Sequence, residues 1–304
     1  MTTSAPPTVG AVVVTHNRWS FLQKSLEGLK SQTVPLSDVI VIDNASEDGT
    51  REGVPHQFPW ASYQRLTENV GGAGGFSEGV RLGYEKGYDW LWVMDDDAVP
   101  EPDALERMLE TQVIRKPETG MLACLVVGTD GELDRGCCAK WFDMRTFRAS
   151  PIFNGRIPSG EAVECNSATF VGILVNRRAI SRVGIPRSDF FIACDDVEYI
   201  YRICEAGFKA YQVPRSRIVH LSRSSSRFYL RGRAPLWRSY YDWRNTLYLN
   251  RQYSHPVTFV RKAGRFAAGA LLFGDRKLRR LRVLVQAIND ARAGRLGRRI
   301  FPPE

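Results

Sequence analysis

The sequence predicts an α/β protein with a mixed, mostly parallel sheet flanked by helices, followed by a basic helical region. Three observations carry this. Residues 1–110 alternate short apolar runs with segments of helical spacing. Each run is apolar without a break, as in strands covered on both faces. The polar features of this part, Thr15, Asp43, the glycine-rich stretch after Asn69 and Asp95–Asp97, all follow strands, at the edge where open α/β sheets bind ligands.

Residues 1–8 are small, polar and Pro-rich, a loose end. Val9–Val14 is a β-branched strand that stops at Thr15-His16-Asn17-Arg18, and Phe21, Leu22, Leu26 and Leu29 then recur at helical spacing. Asp38–Asp43 is a second buried strand, and Tyr63–Leu66 a short third one. In Asn69-Val70-Gly71-Gly72-Ala73-Gly74-Gly75-Phe76, four glycines in five residues allow close approach to a ligand and offer N–H groups to anionic oxygens. The stretch is expected to be a loop, with a helix from Ser77 to Gly87. Gly72 does not start a dinucleotide fingerprint, because Ser77 stands where its last glycine is required.

Trp90–Met94 is the central strand and runs into Asp95-Asp96-Asp97. Adjacent carboxylates repel unless a positive group lies between them. Residues i and i+2 point the same way, so Asp95 and Asp97 can share one hard divalent cation such as Mg²⁺. The plainer alternative is a polar turn before a helix over Pro100–Glu110. Met121–Val127 and Ala168–Val175 are further strands, separated by an aromatic insertion. Asp195 and Asp196 open a helix that ends at Gly207 and suit its dipole; held behind Phe190–Ile192, such a carboxylate can also serve as a general base. Tyr211–Pro214 and Ile218–His220 follow, and His220 reads either as structural or as a ligand. Residues 221–234 are Ser- and Arg-rich and suit a loop folding over phosphates.

Of the 304 residues, 43% are apolar and 25% charged, an ordinary soluble composition. The net charge of +9 is uneven: Arg227–Glu304 holds 18 Lys/Arg against 4 Asp/Glu. Aromatics interleave with Arg261, Lys262, Arg265, Arg276, Lys277, Arg279, Arg280 and Arg282, a pattern for lying on an anionic membrane or for packing a solvated basic face on the rest of the protein. Nucleic acid is not expected as a partner, because no binding motif is present. Six cysteines without CxxC pairs, and four histidines off ligand spacing with them, argue for reduced thiols in the cytoplasm, peripheral to the membrane at most, and against a zinc site. No run approaches the length of a membrane span.

Taken in order, Val-Val-Thr-His-Asn-Arg (13–18), Val-Ile-Asp-Asn-Ala-Ser (41–46), Asn-Val-Gly-Gly-Ala-Gly-Gly-Phe (69–76), Asp-Asp-Asp (95–97), Asp-Asp-Val-Glu-Tyr (195–199) and His220 resemble a family 2 glycosyltransferase with the GT-A fold, over about residues 9–225. The glycine stretch followed by Phe is similar to bacterial galactofuranosyltransferases and, less closely, rhamnosyltransferases; such enzymes act on polyprenyl-linked glycans in cell-wall assembly. The resemblance implies an inverting transferase using Mn²⁺ or Mg²⁺ and a nucleotide-sugar donor, UDP-galactofuranose before dTDP-rhamnose. The acceptor would be a glycan, a lipid-linked saccharide or a protein. It assigns Thr15, Asn17, Arg18 and Asp43 to the nucleotide, and Asn69, Gly71, Gly72, Gly74, Gly75 and Phe76 to sugar and diphosphate. Asp95 and Asp96 join the donor site, Asp95, Asp97 and His220 hold the metal, and Asp196 is the base, supported by Asp195. The three regions expected are the loose end 1–8, the transferase domain 9–225 and the helical region 226–304. A non-catalytic module binding anionic surfaces is the alternative from another class.

Overall fold

The computed structural model describes residues 6–153, 161–222 and 234–300. The central sheet contains β1 (Val9–Thr15), β2 (Asp38–Asp43), β3 (Ser62–Arg65), β4 (Trp90–Asp95), β5 (Ala98–Pro100), β6 (Thr119–Gly128), β9 (Val163–Cys165), β10 (Val171–Asn176) and β11 (Lys209–His220). A separate hairpin pairs β7 (Lys140–Asp143) with β8 (Arg148–Pro151). The sheet order is β3-β2-β1-β4-β10-β6-β11-β5, with β9 also on β11. Strands β3, β2, β1 and β4 run parallel, as do β6 and β11; β10 lies antiparallel between β4 and β6. Helices α1 (Trp19–Lys30), α2 (Thr50–Gln57), α3 (Gly71–Lys86), α4 (Ala104–Leu109), α5 (Arg177–Val183) and α6 (Asp195–Glu205) accompany the strands. Every residue of β1, β6 and β10 is buried, as their unbroken apolar runs require.

The glycine stretch corrects one expectation. It is not a loop before a helix at Ser77: α3 begins at Gly71 and runs 16 residues to Lys86. Gly71, Gly75, Gly79 and Gly83 recur every four residues and face the protein interior. A Cβ on Gly75 would lie 2.5 Å from Val14 Cγ1, on Gly79 2.2 Å from Val12 Cγ1, and on Gly83 2.5 Å from Leu91 Cδ2. The glycines let the helix lie directly on β1 and β4, at the expense of intrinsic helix propensity. Strand β11 likewise replaces the two short strands expected at 211–220, a register shift between Val213 and Arg217 absorbing Pro214.

Beyond residue 234, three helices follow: α7 (Leu236–Tyr253), α8 (Pro256–Leu272) and α9 (Lys277–Ala293). Leu247, Tyr248 and Leu249 of α7 share an apolar cluster with Ala73 and Phe190, and Tyr240 and Tyr241 share another with Phe191. The helices therefore join the core beneath the turn that carries Asp195 and Asp196. No helix among the described residues is long and apolar enough to cross a membrane. The Ser/Arg-rich stretch expected to fold over phosphates lies, from residue 223 to 233, outside the described residues.

Candidate active site

Two adjoining cavities open at the carboxyl edge of the sheet. The larger, 720 Å³, is lined by Thr15, Asn17, Arg18, Asn69, Gly71, Gly72, Asp95 and Asp96, as the sequence led us to expect. It is also lined by Glu47, Arg65, Trp237 and Arg298, which sequence reasoning missed. The second, 530 Å³, shares Arg18, Gly72, Asp95 and Ile192 with the first and adds Phe76, Asp195, Asp196 and His220. Of the expected residues, Asp43, Asp97, Gly74 and Gly75 line neither cavity. A Cβ on Gly74 would meet Val70 Cγ2 at 2.4 Å, so both glycines serve close packing. The N–H groups of Gly71 and Ala73 are already donated, to Asn69 Oδ1 at 2.9 Å and the Phe191 carbonyl at 3.1 Å. Asp43 lies behind the cavity wall, fully buried, accepting from the Ser46 N–H at 2.8 Å and the Tyr63 hydroxyl at 2.5 Å.

The three adjacent carboxylates divide their contacts. Asp96 accepts from the Thr15 hydroxyl at 2.8 Å and pairs with Arg18 Nη1 at 3.0 Å. Asp97 pairs with Arg18 Nη2 at 2.7 Å and accepts from the Ser222 hydroxyl. Its other oxygen, Oδ1, is buried without a hydrogen bond, 3.4 Å from His220 Nε2. Burial, then the charges of Asp97 and Asp96, push the Asp95 carboxyl far above its ordinary range. Burial raises Asp97 too, but His220 and Arg18 outweigh it and hold the carboxyl down at about 2. A buried carboxylate oxygen without a hydrogen bond, a carboxyl whose charged form burial and its neighbours disfavour, and an imidazole nitrogen converge here. Those donors fit a divalent cation, which would favour the charged form of Asp95 beside the already ionised Asp97.

His220 has a second partner that the sequence did not reveal. Its Nδ1 lies 2.9 Å from Asp134 Oδ2, and Cys137 Sγ lies 3.8 Å from the same nitrogen. Asp134 is 86 positions away in the chain, so no local spacing signals it. The carboxylate fixes the tautomer and turns Nε2 towards Asp97, the usual arrangement behind a metal-binding histidine. Sequence spacing shows no grouping of cysteine with histidine, but the fold makes one: Asp134, Cys137 and His220 are buried with a potential ligand atom of each within 4.8 Å of the others.

Asp195 and Asp196 start α6 after a turn in which Phe191, Ala193 and Cys194 all take left-handed φ, at 65°, 71° and 67°. Non-glycine residues hold such angles only when their surroundings impose them. The imposing groups come from α7. Asn245 Nδ2 donates to the carbonyls of Phe190, Ile192 and Ala193 at 3.0, 2.8 and 2.8 Å, and Arg244 Nη2 donates to Phe190 at 2.8 Å. Both side chains are completely buried. Burial raises the carboxyls of Asp195 and Asp196, the latter to about 6, which suits proton acceptance near neutrality.

A carboxylate-rich, cation-fitting strand end beside two carboxyls at a helix start, at the carboxyl edge of this sheet, is the arrangement of a nucleotide-sugar transferase site on a GT-A fold. The chain belongs to glycosyl transferase family 2, whose model matches residues 11–167. It is 32% identical over 212 residues to galactofuranosyltransferase GlfT1 of Mycobacterium tuberculosis, covering 66% of this chain and 65% of that one. To GlfT1 of Mycolicibacterium smegmatis it is 29% identical over 213 residues, 66% of each chain. The matched region thus spans about two thirds of these relatives. The structure of GalNAc-T7 with UDP, GalNAc and Mn²⁺ shares the fold at a TM-score of 0.64 and 16% identity, over 95% of this chain and 56% of that one.

Proposed function

We propose that this glycosyltransferase moves galactofuranose from UDP-galactofuranose to an acceptor hydroxyl on a glycan or lipid-linked saccharide, with inversion and with a divalent metal, Mn²⁺ or Mg²⁺. The observation that carries the proposal is the convergence of Asp95, His220 and Asp196 on one cavity, with Asp97 Oδ1 buried behind it 3.4 Å from His220 Nε2. Asp95, Asp97 and His220 would hold the ion, which neutralises charge developing on the leaving diphosphate. Thr15, Asn17 and Arg65 flank the larger cavity, and Arg18 and Arg298 add positive charge there for a diphosphate. Asp43 would act on the nucleotide indirectly, by fixing the turn at Ser46.

Asp196 takes the proton of the acceptor hydroxyl as its oxygen bonds to the anomeric carbon. The bond from that carbon to the diphosphate breaks, and its electron pair leaves with the diphosphate. One displacement from the face opposite the leaving group inverts the anomeric centre. The likeness to GlfT1 supports galactofuranose over rhamnose as the transferred sugar.

Peripheral contact with an anionic membrane fits the last helices. Val260, Leu272, Phe273 and Leu278 are more than half exposed, and Arg261, Arg265, Arg276, Lys277 and Arg279 stand beside them. Such contact would bring a cytoplasmic catalytic domain, 9–225, to a lipid-linked acceptor.

The test is a thermal-shift panel of UDP, dTDP and GDP with and without Mn²⁺, followed by transfer assays with UDP-galactofuranose and dTDP-rhamnose. A Mn²⁺-dependent shift with UDP and transfer from the first donor are expected. Transfer from dTDP-rhamnose alone would replace the sugar assignment. No shift with any nucleotide would remove the donor-site reading.

A further inference from the structure

A third cavity, of 390 Å³, lies between α7 and α8 and is lined by Arg238, Ser239, Asp242, Trp243, Thr246 and Phe266. It adjoins the catalytic cavity, because Arg238 lines both. Thr246 Oγ1 lies 3.8 Å from Cys194 Sγ, one residue before Asp195, so the two cavities share the wall that carries the base. The larger, arginine-flanked cavity lies across Gly72 and Asp95 from the base, and this third cavity across Arg238.

The lining has two kinds of chemistry. Trp243 and Phe266 stack at 5.9 Å between centroids with 35° between planes, giving an aromatic wall. Arg238 and Asp242 stand one helical turn apart, Nε to Oδ1 at 3.9 Å, and Ser239 and Thr246 add hydroxyls. A sugar ring offers a C–H face to aromatic carbon and a rim of hydroxyls to charged groups. A polyprenyl chain would strip water from Asp242 and Arg238 and return no hydrogen bond. A free phosphate would not use the aromatic wall.

We propose that this cavity is an acceptor subsite that binds a saccharide residue of the acceptor beyond the one that receives the transferred sugar. The inference rests on the glycosyltransferase reading of the adjoining site. Asp242 and Arg238 hydrogen-bond the ring hydroxyls, and Trp243 and Phe266 carry the apolar face. Burial pushes the Asp242 carboxyl up to about 6, a group that gains by accepting from sugar hydroxyls.

The experiment compares octyl galactofuranoside with octyl digalactofuranoside as acceptors, in wild type, Asp242→Asn and Phe266→Leu, with UDP thermal shift measured on the same preparations. In wild type, the second sugar is expected to lower the acceptor KM by about tenfold, about the size of one charge-assisted hydrogen bond. Both variants are expected to lose most of that advantage while the Mn²⁺-dependent UDP shift stays. The proposal is overturned if KM follows alkyl-chain length and ignores sugar number. It is equally overturned if both variants keep the full advantage of the second sugar. A missing UDP shift in wild type would instead remove the transferase reading on which the subsite rests.

Discussion

The side-chain amide of Asn245 donates to the Ala193 carbonyl at 2.8 Å, joining the first C-terminal helix to the turn two residues before Asp195. The same nitrogen reaches two neighbouring carbonyls, and Arg244 Nε holds its oxygen at 2.8 Å. Asn245→Ala takes the side-chain donor from the Ile192 and Ala193 carbonyls, Phe190 keeping Arg244, and should lower unfolding stability by about 3 kcal/mol. The turn then relaxes towards ordinary φ, and transfer should fall further than UDP binding. Urea denaturation and a transfer assay check the two effects. Unchanged activity in a folded variant would show that the turn holds its angles without this brace.

Asp196→Asn removes proton acceptance without changing shape. Transfer should fall by about 10²–10⁴, the usual contribution of a positioned base. The affinity for UDP with Mn²⁺ should stay within a factor of about two, within the noise of a calorimetric comparison. Loss of UDP binding to the same extent would move Asp196 from proton transfer to donor binding.

The pH profile follows from the raised Asp196 carboxyl. Below about 6 the group is protonated and idle as a base. Transfer should therefore rise with pH through about 6 and level off above it. Stability should move the other way. The native protein keeps a proton that the unfolded chain releases at ordinary carboxylate pKa, so stability falls as pH rises from about 4 towards 6. A rate profile flat between pH 5 and 7 would exclude Asp196 as the titrating base.

Asp134 touches no cavity named above, yet it should govern metal affinity. Asp134→Asn can present either a donor or an acceptor to His220 Nδ1, and Asp134→Ala neither. Mn²⁺ affinity, read from the electron-spin signal of the free ion, should weaken by about 10–100-fold in the alanine variant and less in the asparagine one. Equal affinity in wild type and both variants would confine Asp134 to packing.

Gly75→Ala tests the close approach of α3. The added methyl meets Val14 at 2.5 Å in a fully packed layer. A loss of about 1–3 kcal/mol is expected, although alanine is the better helix former. Net stabilisation in urea denaturation would mean that the helix has room to move off the sheet.

The parallel half of the sheet was legible because its strands are unbroken apolar runs, and Asp95–Asp97, Asp196 and His220 because unusual residue types sit where such strands and helices end. Three things were not. The glycines were read as a loop because their propensity opposes a helix; packing on β1 and β4 overrides it, and only their four-residue spacing signals this. The antiparallel insertion of β10 between β4 and β6 depends on contacts remote in the chain. Asp134 and Asn245 act through single side chains placed by tertiary structure, and nothing in their neighbours sets them apart.

Arg18 lies across Asp96 and Asp97 and also donates to Ser222 at 2.9 Å, at the end of β11. The carboxylate cluster thus carries its own internal counter-ion. A metal arriving at Asp95 and Asp97 would exchange with a guanidinium already present, where in a zinc finger it would enter a chain that cannot fold without it. Chelation should then silence this protein without unfolding it. The guanidinium released on loading, still tethered to β1, would be free to meet the phosphates that arrive with the ion.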